Sequence, residues 1–248
     1  MNVISDRVAA LNAQAATQSA LERLQSLRAA LPGHVVFTTS FGIEDQAITH
    51  IIATAGLDIA FATLDTGRLF SETYDLWART EARYGIKVRA YFPQAGAVEA
   101  MVATQGVNGF YGSVDARKAC CDIRKLEPLG RALHGAQGWV TGLRADQSDH
   151  RQGLAFVSYD EARALVKLNP IFDWTREEVV AFTDANDTPV NALHAQGFLS
   201  IGCAPCTRAI APGEPERAGR WWWEDEAKKE CGLHIEPDGR LTRTGAPK

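Results

Sequence analysis

Short apolar, β-branched runs alternate with stretches of helical spacing along most of this chain, and that alternation leaves few folds open. His34–Thr39 is the first run, apolar at consecutive positions rather than at every second one, as a strand buried on both faces requires. Ile59–Leu64, Val88–Phe92, Trp139–Thr141 and Leu165–Leu168 repeat the pattern. Between the first two, Ile43, Ala47, Ile48, Ile51 and Ile52 fall at helical spacing and stop at Gly56. A helix through Trp77 to Tyr84 precedes the third strand, and one beginning near Cys121 precedes the fourth. Ahead of them all, Ser5 is placed to cap a helix running to about Ala30, with Val8, Leu11, Leu21, Leu24 and Leu27 on its apolar side and Pro32-Gly33 as its stop. Thr175-Arg176-Glu177-Glu178 is a capping box that opens a later helix. Strands alternating with helices predict an α/β fold, a parallel-type sheet flanked by helices on both faces.

The chain has 248 residues and is 46% hydrophobic, enough for one well-cored α/β domain. Composition changes after Cys206, where Pro212, Gly213, Pro215 and Gly219 sit among charges and Trp221-Trp222-Trp223 follows. The expected organisation is therefore an α/β domain over residues 1–206 and a C-terminal segment over 207–248, aperiodic and mobile beyond Ile235. The three tryptophans are expected to pack against the domain. A net charge of −4 argues against nucleic acid as a partner. Met1 to Arg28 holds no apolar core of the roughly 7–15 residues a signal peptide carries, and no apolar run reaches about 18 residues. A cytoplasmic protein without a membrane span is expected, and the long first helix offers a surface to a second copy in a homo-oligomer.

The five cysteines fall into three groups. Cys120 and Cys121 are adjacent, Cys203 and Cys206 bracket an Ala-Pro, and Cys231 stands alone after Lys228-Lys229-Glu230. Two close pairs are the donor set for a tetrahedral Zn²⁺ or for a [4Fe–4S] cluster, and spacing alone leaves both open. The odd count and the reducing compartment disfavour a disulfide framework. Cys231 is placed like a nucleophile, because Lys228, Lys229 and the nearby His234 favour its thiolate.

Ligands of open α/β sheets sit beyond the carboxyl ends of the strands. After the first strand, Ser40-Phe41-Gly42-Ile43-Glu44-Asp45 makes a tight turn into a helix, and Ser40, Gly42 and Asp45 are candidates to hold a nucleotide. No Gly-Lys-Ser/Thr follows, so this is not a Walker loop. Asp65, Thr66 and Gly67 form a second small-residue turn after the second strand. After the fourth, Arg144 and Arg151 lie in one loop, a pattern that favours an anion.

Cys120-Cys121-x-x-Arg124-Lys125, the Cys203-x-x-Cys206 pair and Lys229-Glu230-Cys231-Gly232-Leu233-His234 together resemble the assimilatory adenylyl-sulfate reductases, members of the PAPS/APS reductase family with the adenine-nucleotide α-hydrolase-like, Rossmann-like fold. The Ser-Phe-Gly-x-Glu-Asp loop, Leu-Asp-Thr-Gly, Gly-Leu-Arg-x-Asp-Gln-Ser and Gly-Arg-Trp-Trp-Trp fit the same pattern, and the likeness runs from about residue 34 to 234. The resemblance implies a [4Fe–4S] cluster on Cys120, Cys121, Cys203 and Cys206. It implies that Cys231, on a mobile C-terminal segment, attacks the sulfur of adenylyl sulfate to leave an S-sulfocysteine and AMP, and that thioredoxin (or glutaredoxin) then releases sulfite. By the same resemblance Arg124, Lys125, Arg151, Arg217 and Arg220 bind the phosphosulfate, with Lys125 and His234 assisting the chemistry at Cys231. Arg117 sits where histidine is equally acceptable. The cysteine pairs favour adenylyl sulfate over its 3′-phosphorylated form, as do Glu44 and Asp45, whose charges would repel a further phosphate. Reduction of the 3′-phosphorylated substrate or of both, and a non-enzymatic iron–sulfur or zinc redox sensor, are the alternatives.

Overall fold

The computed structural model describes residues 3–147 and 155–224. Strand β1 (Val35–Thr39) lies at the middle of the sheet, which explains why its residues are apolar on both faces. It pairs in parallel with β2 (Ala60–Leu64) on one side and β4 (Gly138–Val140) on the other, with Val36 opposite both Ala60 and Trp139. β3 (Val88–Tyr91) continues the parallel array beyond β2, and β6 (Leu165–Leu168) continues it beyond β4. A further strand, β5 (Val157–Asp160), closes the order β3-β2-β1-β4-β6-β5 by pairing antiparallel with β6. It was not expected, because Val157-Ser158-Tyr159-Asp160 is a short, half-polar edge with no apolar run. Its outer edge is covered by Asn12, whose side chain donates to the carbonyl of Val157 (2.6 Å) and accepts from its N–H (2.9 Å).

The single N-terminal helix expected from Ser5 to Ala30 is two helices, α1 (Val3–Ala15) and α2 (Ala20–Ala30). A capping box intervenes. Ser19 accepts from the N–H of Glu22, and the Glu22 carboxylate takes the Ser19 N–H at 2.7 Å, which satisfies donors that a continuous helix would have used internally. Arg23 then locks the corner, donating to the carbonyls of Ala15 and Pro170 and pairing with Asp173 at 2.6 Å. α1 packs on β5 of its own chain.

Helices α3 (Ile43–Thr54), α4 (Ser71–Tyr84), α5 (Ala95–Gln105), α6 (Val114–Cys121), α7 (Glu127–Ala132) and α8 (Arg176–Ala185) complete the α-helices of the described residues. On one face Leu24, Leu27, Ile48, Ile52 and Val179 pack on Phe37, Val140 and Leu168. On the other, Leu129 and Ala132 pack on Val36, Ala62 and Trp139. Each fully buried aliphatic side chain contributes roughly 1.5–3 kcal/mol. The helix expected to begin near Cys121 starts at Val114, capped by Ser113, and passes through a π-helical turn (Asp122–Leu126) before α7. Residues beyond Cys206 do not stand apart from the sheet domain: Thr207 bridges Arg220, and the Trp221 N–H donates to the carbonyl of Cys206 at 3.1 Å. Among the described residues no helix is long and apolar enough to cross a membrane.

Candidate active site

A cavity of about 330 Å³ opens at the carboxyl ends of β1, β2 and β4. Its first wall is the turn after β1. Phe41 takes a left-handed backbone conformation (φ 59°), unusual for a residue with a Cβ, and burial of its ring against Trp77 offsets that cost. The turn lets the Asp45 carboxylate accept from the Ser40 N–H (2.6 Å) and hydroxyl (2.8 Å). Burial pushes the Asp45 carboxyl up to about 7; the Ser40 bonds oppose the rise and the charge of Glu44 adds to it. Gly142, after β4, passes so close that a Cβ there would lie 2.3 Å from the Asp45 carboxylate. Ser40, Gly42 and Asp45 all line the cavity.

The turn after β2 divides its residues. Thr66 lines the cavity and its hydroxyl lies 3.2 Å from the Cys203 sulfur. Asp65 and Gly67, expected to face a ligand, do not line it. The Asp65 carboxylate is spent inside the turn, accepting from the Gly67 N–H (2.8 Å) and the Tyr74 hydroxyl (2.9 Å). Gly67 (φ 68°) supplies the turn's left-handed corner. Arg124 donates to the Thr66 carbonyl at 2.5 Å, and the Ala204 N–H donates to the carbonyl of Arg68 at 2.8 Å, so this turn is bound to both cysteine-bearing segments.

Cys120, Cys121, Cys203 and Cys206 line one small second cavity of about 20 Å³, together with Arg117, Arg124, Lys125 and Trp221. Two pairs more than 80 residues apart in sequence thus meet. Burial raises the Cys120 thiol and lifts Cys206 to about 11, and the neighbouring cysteine charges add to both. Burial works against the Cys203 thiolate as well, yet Lys125, the Thr66 hydroxyl, Arg220 and Arg124 hold that thiol below its ordinary value. Four thiols on one cavity are the right donor chemistry for an iron–sulfur cluster. Among the described residues no three His, Cys, Asp or Glu side chains stand ready to hold a single metal ion.

Lys125, Arg217 and Arg220 line the larger cavity, and Lys125, Cys203 and Trp221 line both. Arg124 faces the cysteines instead. Arg144, expected to present its charge to an anion, is fully buried behind the cavity wall, where Glu44, Asp146 and Glu216 surround its guanidinium. Arg117 is likewise buried, paired with Glu224 at 2.7 Å and stacked on Trp221. Trp221 and Trp223 pack as expected, Trp223 against Tyr111, but Trp222 does not: it is 40% exposed, with ring-edge contacts to Tyr111 and Trp223. Arg151, Cys231 and His234 lie outside the described residues. Lining residues not foreseen are His194, Glu216, Lys167 and Gly202. None carries a local motif, although Gly202 has a clear reason: a Cβ there would lie 2.2 Å from the Arg220 guanidinium.

A largely parallel sheet with a cavity on its carboxyl edge, walled by a Ser-Phe-Gly turn and by basic side chains, defines an α/β protein of the adenine-nucleotide α-hydrolase-like class. Residues 34–209 match the phosphoadenosine phosphosulfate reductase domain, and the chain belongs to that family. It is 56% identical over 210 residues to the adenosine 5′-phosphosulfate reductase of Rhizobium meliloti (strain 1021), covering 85% of this chain and 79% of that protein. The protein of the same name from Agrobacterium fabrum (strain C58 / ATCC 33970) is 55% identical over 210 residues, 85% of this chain and 81% of its own. A phosphoadenylyl-sulfate reductase from Candida auris, solved as a phosphate complex, shares the fold with a TM-score of 0.71 at 24% identity, covering 85% of this chain and 99% of that one.

Proposed function

We propose that this protein reduces adenylyl sulfate to sulfite and AMP in sulfate assimilation, drawing two electrons from a dithiol protein such as thioredoxin or glutaredoxin. The observation that carries the proposal is the cavity at the carboxyl edge of the sheet: Ser40, Gly42 and Asp45 line one part of it, and Lys125, Arg217 and Arg220 another. A nucleoside fits against the first set, and a phosphosulfate, with its spread negative charge, fits the second. The Cys231 thiolate attacks the sulfur, an S–S bond forms, the S–O bond to the phosphate breaks, and AMP leaves with that electron pair. The dithiol then reduces the S-sulfocysteine, is itself oxidised to a disulfide, and releases sulfite with the Cys231 thiol restored. Lys125, Arg217 and Arg220, with Arg151, neutralise the phosphosulfate so that an anion can approach it; one well-aimed donor of this kind is worth roughly 3 kcal/mol. His234 and the lysines before Cys231 favour its ionised form.

Cys120, Cys121, Cys203 and Cys206 would hold a [4Fe–4S] cluster, whose chemistry when bound is to keep four neighbouring thiols ionised and fixed in place. Those cysteines in turn hold the Cys203 loop against α6, and so set Lys125 at the cavity wall and Arg124 against the turn after β2. Selectivity against a 3′-phosphate rests on less than Glu44 and Asp45 suggested, since Glu44 is bound to Arg144 at 2.9 Å and Asp45 to Ser40.

The test is anaerobic. Iron and sulfide are measured on the purified protein, followed by sulfite release from adenylyl sulfate and from its 3′-phosphorylated form with thioredoxin present. About four irons per chain with turnover of adenylyl sulfate alone is the expected result. Turnover of both substrates would keep the chemistry and widen the specificity. A colourless zinc protein inert toward both would replace the enzyme by a thiol sensor.

A further inference from the structure

Arg144 does not line the cavity, yet it touches both halves of the site. Its Nε and Nη2 donate to one oxygen of Glu44 (3.0 and 2.9 Å), Nη2 also donates to Glu216 (2.8 Å), and Nη1 meets Asp146. Its side chain has 0% exposure. Glu44 stands in the first turn of α3, beside the Ser40–Asp45 loop. Glu216 immediately precedes Arg217, and both line the cavity. The chain from there is tied by backbone bonds. The Ala218 N–H donates to the Pro215 carbonyl and the Arg220 N–H to the Arg217 carbonyl, each at 2.9 Å, so a shift at Glu216 is carried into Arg217 and Arg220. Arg176 adds a longer contact to Glu216 at 3.6 Å.

We infer that Arg144 is a positioning residue, a clamp that joins the nucleotide loop through Glu44 to the Arg217–Arg220 turn through Glu216 and so sets the second anion subsite of the cavity. The inference rests on the substrate proposed above. The physical reason is charge geometry. Glu44 and Glu216 repel each other and any anion between them; one planar guanidinium can serve both at once and Asp146 besides, which an ammonium on a single point of charge cannot. With the clamp closed, the two carboxylates cease to oppose an anion at Arg217 and Arg220. With it open, the turn carrying those arginines moves while the Ser40–Asp45 loop keeps its own bonds.

The experiment compares AMP with ADP, whose β-phosphate stands in for the sulfuryl group, by calorimetric titration of the full-length wild type, Arg144→Lys and Glu216→Gln. Wild type is expected to bind ADP more tightly than AMP. Arg144→Lys is expected to lose about tenfold of that advantage while AMP affinity changes by less than about threefold. Glu216→Gln retains the shape of the side chain and should give the same selective loss, which keeps the test open if Arg144→Lys fails to fold. Equal weakening of AMP and ADP in both variants, or no weakening of either, would overturn the clamp and leave the substrate reading intact. A wild type that binds ADP no tighter than AMP would also overturn it. A wild type that binds neither nucleotide would remove the substrate reading itself, and the clamp with it.

Discussion

At Gly142 one absent Cβ decides whether the Ser40–Asp45 loop can close. A methyl group there would lie 2.3 Å from the Asp45 carboxylate and 3.2 Å from the Glu44 Cβ, so the carboxylate, whose other oxygen takes both Ser40 bonds, must shift to make room. Gly142→Ala is expected to weaken AMP binding by at least about tenfold, the loss of one or two charged hydrogen bonds, as titration calorimetry would show. Unchanged affinity would mean that the loop does not hold the nucleotide. Asp45 also makes stability depend on pH. Its folded-state value of about 7 lies above the ordinary carboxyl value, because burial disfavours the charge despite the Ser40 bonds. The folded state therefore binds the proton more tightly than the unfolded chain. The stabilisation is complete below about pH 4 and is lost as pH rises through about 7. Urea unfolding at pH 5 and pH 8 should show wild type losing stability across that window by up to a few kcal/mol more than Asp45→Asn. Equal pH slopes in the two proteins would contradict the assignment.

The helices show how local chemistry overrides a longer pattern. Val8, Leu11, Leu21, Leu24 and Leu27 trace an apolar stripe that suits one helix, but the reciprocal bonds of Ser19 and Glu22 stop it and restart it. Ser19→Ala is expected to cost about 1 kcal/mol in chemical unfolding and to leave turnover unchanged, since neither Ser19 nor Glu22 lines the cavity. A fall in activity matching the fall in stability would link this corner to the site. The buried parallel strands were legible because burial on both faces demands unbroken apolar runs. β5 was not, because an edge strand covered by Asn12 and one neighbour needs no such run. Near the cysteines, the helix from Val114 opens into a π-helical turn at Asp122–Leu126, which carries Arg124 and Lys125. π-turns of this kind often mark functional sites, since they re-aim side chains that a regular helix would stack elsewhere.

Across the molecule, the two cysteine pairs meet because α6 and the Cys203 loop converge on the turn after β2, through Arg124 on the Thr66 carbonyl and Ala204 on the Arg68 carbonyl. If the cysteines organise the basic wall of the cavity, replacing Cys120, Cys121, Cys203 or Cys206 by serine should remove iron and sulfite release together. A variant without iron that keeps full turnover would refute that role. The described part of the C-terminal segment belongs to the same assembly. Trp221 is buried between Arg117 and Arg220, and Thr207 bridges Arg220, so the boundary suggested by composition at residue 206 is not a break in packing.

The sequence alone determined the α/β alternation, the turns beyond the strand ends and the grouping of the cysteines into two close pairs, because each is written in contiguous residues. Ser40, Gly42, Asp45 and Thr66, singled out from the strand-end turns, line the cavity, as do Lys125, Arg217 and Arg220, which the family resemblance supplied. Tertiary structure decided which charges face the cavity and which are spent within the protein. Arg144 and Asp65 looked like ligand-facing groups, and only the fold reveals that Glu44 and Glu216 claim the first while Tyr74 and Gly67 claim the second. A charged side chain buried in the fold is satisfied by whatever partners surround it, and those partners come from segments that local sequence does not connect.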